Sequence, residues 1–88
     1  MINTVTGSIA IEDLGITLMH EHILIDYRGA DLADGTGYDR DDVIETMLPY
    51  LMRLKEKECK TFFDTTPPRS CRDIDVLIQL SIQTGLNI

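Results

Sequence analysis

The stretch from Ile16 to Ile25 constrains the fold of this chain more than any other. It is apolar up to His20-Glu21-His22 and apolar again in Ile23-Leu24-Ile25. Such a run predicts a strand covered on both faces, as strands of parallel sheets are. Side chains alternate along a strand, so His20 and His22 share one face and Glu21 takes the other. Two imidazoles on one face can reach one metal ion, and neutral imidazole is a good ligand for zinc-like ions. The chain has 2 histidines in all, whereas a catalytic zinc takes about three protein ligands. The pair is therefore half of a metal site. The competing reading is two hydrogen-bonded histidines near a strand end.

Before that strand, Ile2 to Leu14 alternate loosely. Thr4 to Ile11 reads as a β-hairpin with its turn at Gly7-Ser8, and Glu12-Asp13-Leu14-Gly15 as a short turn. Asp26 to Asp39, rich in glycine and aspartate, reads as a long loop. Asp39 to Lys57 is predicted helical. Val43, Ile44, Met47, Leu48, Leu51, Met52 and Leu54 recur on one face, Asp39 or Asp41 caps the start, and Lys55, Lys57 and Lys60 suit the other end. Pro49 should kink or restart that helix, because it lacks a backbone donor. Lys60 to Thr65 is a second strand, and Thr66-Pro67-Pro68-Arg69-Ser70 a loop. Ser70 or Cys71 opens a second helix, with Ile74, Leu77, Ile78, Ser81 and Ile82 on its buried face and Gly85 at its C-terminal cap. Leu86-Asn87-Ile88 begins like a third strand.

Strands alternating with helices imply βαβ units and a parallel sheet. Two parallel strands cannot bury themselves and the outer faces of two helices, so the order reads as the opening of something larger. With 88 residues the chain makes one small domain, of a size that is marginal without a metal, disulfide or partner. The hydrophobic share of 43% is enough for a core rather than disorder. A net charge of -7 argues against nucleic acid and against an anionic membrane surface. No apolar run approaches the roughly 18 residues that span a bilayer. The N-terminus has no secretory pattern, and Cys59 and Cys71 form no CxxC pair. They read as reduced, buried thiols of a cytoplasmic protein.

Ile2-Asn3-Thr4-Val5-Thr6-Gly7 and Leu14-Gly15-Ile16-Thr17-Leu18-Met19-His20-Glu21-His22 resemble the start of the phosphotriesterase-like branch of the amidohydrolase superfamily. Phe63-Asp64-Thr65-Thr66-Pro67-Pro68, Arg72-Asp73 and the stretch from Leu80 to Ile88 are similar to that branch's second βα unit. The resemblance implies an α/β fold, the opening two βα units of a (β/α)8 barrel after an N-terminal hairpin. The hairpin takes 2–14, the first unit 16–57 and the second 60–85. A whole barrel takes about 250 residues.

The resemblance further implies a zinc-dependent hydrolase in which His20 and His22 hold the more buried ion of a two-metal centre, at the C-terminal end of the first barrel strand. A metal-bridged hydroxide would attack a phosphotriester, lactone or related ester. The remaining ligands would come from later strands, so the 88 residues alone should be catalytically silent. Asp64 is a candidate for support behind the ligands, against a plainer role satisfying nearby backbone or Arg72. Glu21 as a base is weaker than Glu21 in a structural contact. Arg72 and Asp73 read as a helix-start pair, and Thr65 and Thr66 as loop-shaping residues. The acidic segment from Asp26 to Asp42 lacks the D-x-D-x-D-G order of a calcium loop. Glu58 stands where the family often has a helix-ending glycine, and Cys71 where glycine is common. The expected partner of the whole protein is a small-molecule ester, with a homo-oligomer open. Two readings compete with the hydrolase: a small non-enzymatic binding or oligomerising module that pairs its sheet edge, and the relic of a truncated gene, to which an end inside a predicted strand would point.

Overall fold

A computed structural model describes residues 1–23, 38–66 and 72–88. The chain enters through a hairpin in which β1 (Ile2–Thr4) pairs antiparallel with β2 (Gly7–Ile9). Its turn lies at Val5-Thr6, two residues before the expected Gly7-Ser8. A side chain closes it: the Thr4 hydroxyl accepts from the Thr6 N–H at 3.3 Å and donates to the Gly7 carbonyl at 2.6 Å. Gly7 follows the turn with φ +134°, which explains why glycine is needed there without being at the turn's centre. A single 3-10 turn, Ile11–Asp13, then leads to Gly15. Gly15 has φ +59°, and an added Cβ would lie 2.5 Å from Lys60 Cδ.

β3 (Ile16–Glu21) pairs in parallel with β4 (Cys59–Asp64), joined by the crossover through α1 (Arg40–Glu56). Parallel strands need such a crossover, which supplies the helix that covers them. The register is irregular twice. Leu18 pairs with Phe62 and Glu21 with Asp64, so β3 carries an extra residue in the stretch that includes His20. A bulge there bends the strand and re-aims its side chains.

Asp39 caps α1 by accepting from the Asp41 N–H at 2.8 Å. The helix runs unbroken through Pro49, so the expected restart does not occur. Pro49 is solvent-exposed, as is Glu45 one turn before it, and water can satisfy the carbonyl that loses its donor. Leu51 is fully buried, and Val43, Ile44, Met47, Leu48 and Leu54 pack against the core, whereas Met52 faces out at 40% exposure. Lys60 lies in β4 rather than at a helix end. Lys55 Nζ reaches across to the Gly85 carbonyl at 3.1 Å, so it serves the end of the second helix rather than its own.

α2 (Ile74–Thr84) begins on Asp73, not on Ser70 or Cys71, because the Asp73 carboxylate accepts from the Val76 N–H. Its buried face is Val76, Leu77, Leu80, Ser81 and Thr84. Ile74 and Ile82, expected inside, are 45% and 63% exposed. The helix is apolar on more than one side, so periodicity alone could not choose the face that packs here. Gly85 closes it with φ +76°, as expected. Past it, Asn87 bridges in parallel to Thr61: its N–H donates to the Lys60 carbonyl and its carbonyl accepts from Phe62 N–H, both at 2.8 Å. The predicted third strand thus starts on the free edge of β4. The core gathers Ile23, Leu51, Phe62, Val76, Leu77, Leu80, Leu86 and Ile88 between the strands and the two helices. No helix among the described residues is long and apolar enough to cross a membrane.

Candidate metal centre

The C-terminal ends of β3 and β4 are held level by hydrogen bonds that continue past the strands. The Thr65 N–H donates to the Glu21 carbonyl at 2.9 Å. Asp64 spreads its carboxylate over both chains: Oδ2 accepts from the Ile23 N–H at 3.1 Å and Oδ1 from the Thr66 N–H at 2.8 Å. The backbone-satisfying role weighed for Asp64 is therefore real, and it ties the residue after His22 to the residue that meets His22 from the other strand. Glu21 contributes its carbonyl to this seam.

His20 and His22 come together on it. Their rings are 5.5 Å apart between centroids and nearly perpendicular. His20 is exposed and His22 half-buried. His22 Nδ1 lies 2.7 Å from Thr66 Oγ1, and Thr66 is almost fully buried. The contact occupies Nδ1, so Nε2 is the ring nitrogen that Thr66 does not engage. Such a donor set fits a divalent metal: two imidazoles side by side, one braced from behind through its other nitrogen. Among the described residues no group of three or more histidine, cysteine or carboxylate side chains gathers to complete a cage. The Thr66 contact was not legible in the sequence, because it joins residues 44 positions apart.

Other candidates fall elsewhere. Asp73 accepts from the Tyr38 hydroxyl at 2.7 Å and from Arg40 Nε at 2.8 Å while capping α2. Burial by itself would push its carboxyl up, but the bonds from Tyr38, Arg40 and Val76 outweigh it and hold the carboxyl below its ordinary range. Cys59 is a buried thiol whose Sγ points at the Thr61 carbonyl. The Asp26 to Gly37 part of the acidic segment, Leu24-Ile25, Pro67-Pro68, Arg69, Ser70 and Cys71 lie outside the described residues.

A parallel βαβα unit with metal-binding residue types at its strand ends belongs to the α/β class, in which sites sit at the C-terminal ends of the strands, in barrels and in open sheets alike. The model of the phosphotriesterase family matches residues 1–88, and the chain belongs to that family. No curated protein sequence matches it. Among solved structures it is similar to an organophosphorus hydrolase from Deinococcus radiodurans, at 31% identity and a TM-score of 0.86 over 98% of this chain and 26% of that one. A multiply substituted PTE-like lactonase from the same organism gives 30% identity and a TM-score of 0.89 over 100% of this chain and 28% of that one. The chain thus spans 26–28% of the length of these relatives. Its fold is the opening two βα units of a (β/α)8 barrel, preceded by a hairpin.

Proposed function

We propose that these residues form the opening of a metal-dependent hydrolase acting on ester bonds, and that His20 and His22 are metal ligands in it. The observation that carries this reading is the histidine pair itself, ring beside ring at the strand ends, with His22 braced by Thr66. Membership of the phosphotriesterase family and likeness to a hydrolase and a lactonase support the reaction class. The substrate would be a small phosphotriester, lactone or related ester.

A centre of two divalent ions, zinc foremost, would polarise the P=O or C=O bond and lower the pKa of water enough to supply an attacking hydroxide at neutral pH. The residues of this chain have narrower tasks. His20 and His22 bring two imidazole rings side by side at the β3 end. Asp64 locks the backbone at Ile23 and Thr66, so the ligands sit on a fixed seam. Two ligands do not complete a catalytic site, and on this reading the 88 residues alone are catalytically silent.

The test is metal content and ester hydrolysis in the natural-length protein that carries these residues, purified with zinc. The wild type should retain metal and hydrolyse a lactone or a phosphotriester. His22→Ala should lose at least one equivalent of metal and nearly all turnover. A His22→Ala protein with unchanged metal content would sink the ligand assignment.

A further inference from the structure

Building on that metal reading, we infer that Thr66 is a positioning residue for His22: its hydroxyl accepts from Nδ1–H and holds the ring so that Nε2 keeps its lone pair for a metal. The argument starts from the 2.7 Å contact between His22 Nδ1 and Thr66 Oγ1. Either atom can donate in such a pair. If the hydroxyl donated to Nδ1, the ring proton of a neutral imidazole would sit on Nε2, and neither nitrogen would be left to bind a metal. If Nδ1–H donates to the hydroxyl, Nε2 is free. The bond that a ligating histidine makes through its second nitrogen sets which nitrogen is metallated.

The surroundings make the hydroxyl a fixed point rather than a passing neighbour. Thr66 is 1% exposed, so water cannot easily take its place. Its backbone N–H is held by Asp64 Oδ1, and Asp64 Oδ2 holds the N–H of Ile23, the residue after His22. The Thr65 N–H on Glu21 completes the seam from the other side. Ring, hydroxyl and both backbones are therefore tied into one hydrogen-bonded network. His20 is exposed and carries no such brace among the described contacts. The two ligands should differ accordingly, with His22 the pre-set one.

The decisive comparison uses Thr66→Val and Thr66→Ser in the natural-length protein, with His22→Ala alongside. Thr66→Val keeps the shape and removes the hydroxyl; Thr66→Ser keeps the hydroxyl. Zinc affinity is read by competition with a chromogenic chelator, and the His22 tautomer by long-range 1H–15N NMR of the metal-free protein. Thr66→Val should weaken zinc binding about 10–100-fold and move His22 away from the Nδ1–H form. Thr66→Ser should stay close to wild type in both, which separates loss of the hydrogen bond from damage to the fold. Wild-type affinity in Thr66→Val, or an Nε2–H ring in the wild type, overturns the inference and leaves the metal reading standing. Full zinc binding by His22→Ala overturns the metal reading, and this inference with it.

Discussion

The two helices start alike and are anchored differently. Each begins on an aspartate. Asp39 is exposed and accepts from one backbone N–H two residues ahead. Asp73 has a side chain only 3% exposed and accepts from Val76 N–H, the Tyr38 hydroxyl and Arg40 Nε. Arg40 also reaches Asp75 at 3.4 Å. Tyr38 and Arg40 flank Asp39 at the start of α1, so one carboxylate caps α2 and ties both helix starts together. The first cap is a local device. The second is tertiary, and it lies at the same end of the strands as the histidine pair.

The largest expected effect tests that difference directly. Asp73→Ala removes a cap and the acceptor of two side-chain donors, and should cost the natural-length protein about 3 kcal/mol in urea unfolding. Asp39→Ala should cost about 0.5–1 kcal/mol, the ordinary worth of an exposed cap. Equal losses would erase the distinction between the two. The pH dependence sharpens it. Because the folded carboxyl of Asp73 is held below its ordinary value of 3.8, its contribution is fully present above that pH. The contribution is lost as pH falls through the lower, folded value. The stability gap between wild type and Asp73→Asn should therefore narrow on acidification below about pH 4 and stay constant above pH 5. A gap that widened in acid would mean the carboxyl is raised instead.

The same contrast sorts what the sequence made legible. The order of strands and helices, an aspartate cap at Asp39 or Asp41, the Gly85 stop and the closeness of His20 to His22 follow from the residues near one another along the chain, because each is a local or periodic property; that Asp39 is the cap needed the structure. Asp73 was legible as part of a helix start but not as the link between helices, since its partners lie 33 and 35 positions away. In the sequence Thr66 reads as a residue that shapes a connection; its contact with His22 spans 44 positions and needs the fold. Spacing does not single out the α2 face, because Ile74 and Ile82 are as apolar as Val76 and Leu80; a helix with apolar residues on more than one side suits neighbours on more than one side. Its exposed isoleucines agree with a chain that spans about a quarter of its relatives, at 26–28% of their length. The hairpin turn lies two residues before Gly7-Ser8 because the Thr4 hydroxyl closes it, a contact that glycine content does not signal.

The helix ends give a small effect and the cleanest comparison. Both α1 and α2 stop at a left-handed residue. In α2 it is Gly85, with φ +76°. In α1 it is Glu58, with φ +68°, just after the capping Lys57. A side chain in that region crowds its own backbone, and glycine does not. Glu58 is exposed, so little packing is lost with its side chain. Glu58→Gly therefore relieves strain in the folded state, while the freer glycine lowers the energy of the unfolded chain and offsets part of the gain. The net should be a stabilisation of about 0.5–1 kcal/mol in urea unfolding of the natural-length protein, with metal content unchanged. Glu58→Ala separates the two causes: it keeps a Cβ in the left-handed position and should show none of the gain. If alanine stabilised as much as glycine, the benefit would come from removing the charge, and the backbone argument for this position would fail.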